Sequence, residues 1–275
     1  MSQGYVASRV APGAPGKLAP MRIVVLVKYV PEPNGTPTLG DDHLLVREGA
    51  EGALDPGDEY AVEAALRLAE SQGRDVTLIS MGPDVAMGAI RKGLSMGADA
   101  GVLITDAALR GADTLATATV LAEAVGKREF DLVLTGVEST DGYTGTLPST
   151  LAELLDLPSA TFARSLDVVD GRLRIERQTE EGYDVVECPL PALATVTGSA
   201  AEPRYPTLKG IMGAKTKPVE QVSLSDLGVA EGAVAATQRV TNVTAAAEKG
   251  AGEIVEAGED AVARFTALLE DAKAI

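Results

Sequence analysis

Apolar positions along this chain switch between two rhythms. The run Ile23-Val24-Val25-Leu26-Val27 is continuously apolar and β-branched, as expected of a strand buried on both faces of a parallel sheet. Asp55-Pro56-Gly57-Asp58 reads as a helix start, with Asp55 as N-cap, Pro56 at the first helical position and Asp58 in the first turn, where the helix dipole favours negative charge. Val62, Leu66 and Ala69 then recur on one helical face. Val76 to Met81 forms the next buried strand and stops at Gly82-Pro83. A helix follows through Ala89, Ile90 and Leu94 and ends at Gly97. A strand over Gly101 to Thr105, a helix over Asp113 to Val125 and a strand over Leu132 to Leu134 continue the series. Such alternation predicts an α/β fold, a mostly parallel sheet with helices on both faces.

After Pro158 the rhythm changes. Leu166 to Val169, Asp170-Gly171 and Leu173 to Arg177 predict a β-hairpin with a type I′ turn. Val185-Val186 and Leu193 to Val196 add strands. From Glu202 an extended arm bearing proline and lysine is expected, ending in a terminal helix whose stripe is Val262, Phe265, Leu268 and Leu269. Gly228 to Gly252 lacks a stripe and reads as a tether. Residues 1–20, rich in Gly, Ala and Pro, read as a disordered leader or an extension. The expected organisation is therefore leader 1–20, α/β domain 21–201, and C-terminal arm 202–275.

Composition narrows the chemistry. Over 275 residues, 24 Lys+Arg face 40 Asp+Glu, a net charge of −16 that disfavours nucleic acid and anionic lipid as partners. A single cysteine, Cys188, excludes an internal disulfide; it reads as a buried strand residue. The single histidine, His43, reads as a solvated loop residue. The apolar run at residues 23–27 is far short of the roughly 20 residues a membrane span needs, so no membrane insertion is expected. No export signal is recognisable, and a reducing, cytoplasmic compartment fits.

In an open α/β sheet the ligand crevice lies beyond the carboxyl ends of the strands. Four candidate edges are Leu26-Val27-Lys28, Met81-Gly82-Pro83, Ala98-Asp99, and the turn Gly136-Val137-Glu138-Ser139-Thr140-Asp141-Gly142-Tyr143-Thr144-Gly145. The glycines and hydroxyls of that turn, leading into a helix N-terminus, suit either a phosphate cradle or a polar turn that caps a helix. A Walker loop and a Gly-x-Gly-x-x-Gly after the first strand are both absent. Glu180-Glu181 beside Gly182 reads as solvated charge in a turn. With no triad or acid–base constellation in view, a binding and scaffolding role gains weight, and no catalytic residue is assigned.

Several segments, in order, resemble the electron-transfer flavoprotein β family. They are Val27-Lys28-Tyr29-Val30-Pro31, Leu54-Asp55-Pro56 through Glu59-Tyr60-Ala61-Val62-Glu63-Ala64-Ala65, and Leu94-Ser95-Met96-Gly97-Ala98-Asp99. Further on come Ile175-Glu176-Arg177 through Glu180-Glu181-Gly182, Leu190-Pro191-Ala192, and Glu202-Pro203-Arg204-Tyr205-Pro206-Thr207-Leu208-Lys209-Gly210-Ile211-Met212 with Ala214-Lys215. The resemblance implies a Rossmann-like fold of adenine-nucleotide-binding type, with residues 21–201 as the nucleotide-binding domain and 202–275 as a recognition loop and C-terminal arm. It implies that this arm packs on a larger α subunit, which pairs with the chain and holds the redox-active FAD. Such a pair takes electrons from flavin dehydrogenases, typically the acyl-CoA dehydrogenases of fatty acid oxidation, and passes them to a quinone-linked acceptor. It also implies a non-redox AMP at Leu26, Asp55 to Asp58, Met81 and Gly136 to Thr144. Leu208 matches the family's partner-recognition leucine, with Pro206, Ile211 and Met212 around it. Two departures stand out. Gln178 replaces a glutamate, and the loop Ser139 to Gly145 is shorter than in typical AMP-binding members. Its Asp141-Gly142-x-Thr144 resembles electron-bifurcating relatives whose β subunit carries a second FAD, although Gly145-Thr146 stands where those have Ala-Gln. AMP is thus expected, with a second FAD as the alternative. A stand-alone adenine-nucleotide-binding regulator of the stress-protein kind is the competing reading from another class.

Overall fold

The computed structural model describes residues 21–32, 35, 38–47, 49, 51–72, 75–244, 254–258 and 260–275. The expected leader and most of the second half of the tether lie outside them. The described residues divide into two compact units between Val240 and Thr241.

The first unit is organised by one sheet. Strand β1 (Arg22–Leu26) leads through a small antiparallel pair, β2 (Tyr29–Pro31) and β3 (Gly52–Leu54), into helix α1 (Pro56–Gln72) and strand β4 (Asp75–Met81). Helix α2 (Met87–Met96), strand β5 (Ala100–Ile104), helix α3 (Thr114–Gly126) and strand β6 (Leu132–Gly136) complete the alternation. Helix α4 (Leu147–Leu154) is followed by the long strands β7 (Ser159–Val169), β8 (Arg172–Gln178) and β9 (Tyr183–Pro189), then β10 (Ala192–Val196). Among the described residues the sheet has nine strands in the order β11-β5-β4-β1-β6-β10-β7-β8-β9, where β11 is Val219–Val222. Every pairing from β11 to β7 is parallel, and β7-β8 and β8-β9 are antiparallel.

Burial on both faces explains the unbroken apolar run of β1. Ile23 and Val25 join the core beneath α1 and α2, while Val24 and Leu26 join the one beneath α3 and α4. The β7-β8 turn is as expected: Asp170 (φ 51°) and Gly171 (φ 72°) are both left-handed, as a type I′ turn requires. Glu180 and Glu181 are exposed in the β8-β9 turn, beside the bond from the Thr179 N–H to the Gly182 carbonyl.

Three expectations need correction. Ala98-Asp99 does not lie at a carboxyl end. Helix α2 stops at Gly97, so these residues lead into β5 at the opposite edge, where the Asp99 carboxylate accepts the Val76 N–H at 2.9 Å. Cys188 is in a strand but only partly buried, because β9 is the outermost strand of the sheet. The segment after Glu202 is not extended throughout. It forms helix α5 (Leu208–Ala214), returns as β11 alongside β5, and adds the short helix α6 (Leu224–Leu227), closed by a Ser223–Asp226 capping box. The second unit contains helix α7 (Ala261–Asp271), which buries none of its residues; Val262, Phe265 and Leu268 are exposed.

Candidate functional site: a crevice at the switch point of the sheet

The chain runs β1, β4, β5 to one side and then returns to place β6 on the other side of β1. Ligand crevices form at such a reversal, beyond the carboxyl ends of the strands. Here the loops after β1 and β6 meet the N-terminus of α1.

Two buried carboxylates tie these three pieces together. Asp58 Oδ2 accepts the Lys28 N–H at 2.7 Å and Oδ1 accepts the Gly136 N–H at 3.3 Å, joining both strand ends to the helix. Burial, and then the charge of Asp55, push the Asp58 carboxyl up to about 8 against those two bonds. Asp55, fully buried, accepts the Gly57 N–H at 2.8 Å through Oδ1, the N-cap bond expected of it. Its Oδ2 accepts both the N–H (2.7 Å) and the hydroxyl (2.8 Å) of Thr140, pinning the β6 loop across the helix N-terminus. Packing there is tight. A Cβ on Gly136 would stand 2.9 Å from Asp58 Oδ1 and 3.1 Å from the Gly57 carbonyl carbon, which only glycine avoids.

The loop itself is fastened by a third carboxylate. Asp141 bridges Lys28 Nζ at 2.6 Å and the Arg47 guanidinium, and Lys28 also donates to Ser139 Oγ at 3.1 Å. Burial raises the Asp141 carboxyl, but the Lys28 charge and the bonds from Lys28, Arg47 and Ser139 outweigh it and hold the group ionised. Beyond Asp141 the backbone opens. Gly142, Tyr143 (φ 47°), Thr144 and Gly145 (φ 62°) are exposed. Among the described residues the N–H groups of Thr144, Gly145 and Thr146 have no acceptor, and Thr146 at the N-cap of α4 makes no capping bond through its side chain. Unspent N–H groups beside a helix N-terminus are what a phosphate oxygen takes.

The structure therefore brings most of the predicted nucleotide residues to one place. Asp55, Pro56, Gly57 and Asp58 form the floor. Gly136 is buried at the end of β6, Val137 is partly buried and Glu138 exposed, and Ser139 to Thr144 form the rim. Leu26 and Met81 end β1 and β4 and pack against the same apolar cluster. The sequence placed Lys28 at a candidate crevice edge without a role, and held no hint of Arg47, since only the tertiary fold carries its loop to Asp141.

The predicted docking residues lie elsewhere. Leu208, Ile211 and Met212 are exposed on α5, Pro206 is half-buried, and Tyr205 before them is 93% exposed. Ile211 borders a shallow hollow between α2 and α5, shared with Arg91, Ser95 and Lys215. No helix among the described residues is long and apolar enough to cross a membrane.

Comparison with known proteins agrees with this architecture. The family model described as "Electron transfer flavoprotein domain" matches residues 42–227. The chain is 44% identical over 214 residues to the electron transfer flavoprotein subunit beta of Mycobacterium leprae, covering 75% of this chain and 80% of that one. It is 40% identical over 206 residues to the same subunit of Thermoanaerobacterium thermosaccharolyticum, covering 75% and 79%. It is also 36% identical over 240 residues to the caffeyl-CoA reductase-Etf complex subunit CarD of Acetobacterium woodii, covering 86% and 92%. With a crevice at the switch point, a matching domain over most of its length and relatives this similar, the chain belongs to the electron transfer flavoprotein family, among its beta subunits.

Proposed function

We propose that this chain is the β subunit of a heterodimeric electron-transfer flavoprotein: it holds an adenine nucleotide, AMP in preference to a second FAD, and helps an α subunit enclose a redox-active FAD. The observation that carries the nucleotide reading is the row of unspent N–H groups at residues 144–146, beside a rim already anchored by Asp55. A nucleotide phosphate suits those donors, and Gly142, where a Cβ would find only Ser139 Oγ at 3.5 Å, leaves the approach open. Asp55, Asp58 and Lys28 hold the walls in register and supply no acid or base to a reaction. When bound, the FAD supplies the redox chemistry. This chain contributes position.

The exposed apolar side chains of α5 are read as a docking anchor for donor flavin dehydrogenases such as acyl-CoA dehydrogenases, which pass electrons through the pair to a quinone-linked acceptor. An exposed Leu-Ile-Met group supplies the apolar area that an anchor buries in a partner pocket. Residues 203–219 contain no Asp or Glu in a chain of net charge −16, so this surface is suited to a pocket with an acidic rim. The region 202–275, whose helix α7 leaves Val262 and Phe265 exposed, is read as packing on the α subunit.

Denaturing the purified heterodimer and identifying the released nucleotides tests the crevice. One FAD with one AMP supports the reading, and two FAD per heterodimer supports the alternative. One FAD and nothing else refutes a nucleotide site in this chain. Leu208→Ala tests the docking anchor: electron transfer from an acyl-CoA dehydrogenase should fall with flavin content unchanged, and loss of flavin instead contradicts the role.

A further inference from the structure

Helix α5 has only 7 residues and two glycines, Gly210 and Gly213, so it has little helical stability of its own. Its apolar side chains Leu208, Ile211 and Met212 are exposed. Something other than α5 must fix their direction.

The fastening is a cluster of charges at its N-terminal root. Glu63, Arg67 and Glu70 lie on one face of α1 at spacings of four and three. Arg204 donates from Nε to Glu63 Oε2 at 2.7 Å, from Nη2 to Glu63 Oε1 at 3.1 Å, and from Nη1 and Nη2 to the two oxygens of Glu70. Its backbone N–H also donates to Glu63 Oε2 at 3.2 Å. Arg67 completes the group, giving its Nε to Glu63 at 2.8 Å and an Nη2 hydrogen to the Glu202 carbonyl at 3.2 Å. The Glu63 side chain is only 3% exposed. Burial drives its carboxyl up, but the bonds from Arg204 and Arg67 reverse the shift and keep it ionised. A fork-to-fork pair of this kind fixes direction as well as distance, which a lysine could not do.

The far end of α5 is held separately. Arg91 donates to the Ala214 carbonyl (2.5 Å) and the Lys217 carbonyl (3.1 Å), and Lys217 Nζ donates to the carbonyls of Leu94, Gly97 and Ala98 at the end of α2. Between these clamps a Cβ on Gly210 would come within 2.4 Å of the Ser95 carbonyl oxygen, so the two helices touch backbone to backbone.

We propose that Arg204 is the positioning residue of the docking surface: its bond to Glu63 and Glu70 sets the pose of Leu208, Ile211 and Met212 before any partner arrives. The inference rests on the docking role of α5 and adds that the surface is preorganised. A surface already ordered loses less freedom on binding, so the clamp acts on the encounter with the dehydrogenase and leaves electron transfer within the docked complex unaltered.

The test uses the heterodimer carrying Arg204→Gln, Arg204→Lys, Glu70→Gln or Leu208→Ala, with an acyl-CoA dehydrogenase as donor. Arg204→Gln should accelerate hydrogen exchange of the α5 amides by about tenfold while β1 and β4 keep their protection. It should raise the KM for the heterodimer by about tenfold with kcat changed less than about twofold. Arg204→Lys and Glu70→Gln, which keep part of the clamp, should raise KM by about threefold. Glu70 is 61% exposed at its side chain, so that variant probes the clamp without threatening the core. If Leu208→Ala leaves KM unchanged, the docking reading fails and takes this inference with it. If Leu208→Ala raises KM while the Arg204 and Glu70 variants do not, docking stands and the positioning role is overturned. Unchanged α5 exchange in Arg204→Gln overturns it as well.

Discussion

Replacing Asp55 by alanine is the sharpest perturbation of the crevice, because one fully buried carboxylate serves two elements. Its Oδ1 caps α1 through Gly57, a bond whose loss costs about 1 kcal/mol. Its Oδ2 accepts two bonds from Thr140, and hydrogen bonds to a charged partner contribute about 1.5–3 kcal/mol each. Their sum overstates the loss. Water can reach the half-buried Thr140 and satisfy part of what the lost carboxylate leaves behind. A net cost of about 3 kcal/mol is expected. Urea unfolding at neutral pH, with the m-value checked for constancy, measures it. Asp55→Asn should fall between, since its oxygen can still cap Gly57 while its amide would confront the Thr140 N–H. A cycle with Thr140→Ala isolates the long-range part and should show a coupling of about 1 kcal/mol or more. A loss below about 1 kcal/mol for Asp55→Ala, or simple additivity with Thr140→Ala, would refute the claim that this carboxylate pins the loop.

Two further predictions concern the same floor. Gly136→Ala places a methyl group against Asp58 Oδ1 and the Gly57 backbone and should destabilise the protein by about 1–3 kcal/mol, read as a lower urea midpoint; an unchanged midpoint would mean that the floor is loosely packed. Asp58 titrates near 8 in the folded chain and near 3.8 unfolded, so folding takes up a proton between those values and stability is lost as pH rises through that window. The slope from this group is at most about 1.4 kcal/mol per pH unit, and Asp58→Asn should abolish it. Parallel stability curves for the wild type and Asp58→Asn from pH 5 to 8 would contradict the shift.

Much of the architecture was legible because it is decided locally. A β-branched run without polar breaks has few stable outcomes besides a strand covered on both faces, and β1 is one. Asp55-Pro56 begins a helix because the cap and the proline act within three residues. Asp170-Gly171 turns a hairpin because its two residues accept positive φ. Where the reading went astray, the deciding contact was distant. Ala98-Asp99 is the exception, since the helix stop at Gly97 and the strand opening near Gly101 already mark an αβ turn, at the edge opposite the strand carboxyl ends. The arm after Glu202 looked extended because a helix of 7 residues carrying two glycines has little propensity, and it is held by Arg91, Lys217 and the end of α2.

The sequence by itself determined the alternation of strands and helices, and the residue types available at each strand end. Only the tertiary structure decided which of those residues would meet. Thr140 is 85 positions from Asp55, Asp141 is 94 from Arg47, and Arg204 is 141 from Glu63. Strand order brings these pairs together. That order follows from burying both faces of one sheet at once, a condition no local stretch of the chain contains. Side-chain charge can be read in a sequence, whereas its partner is a property of the fold.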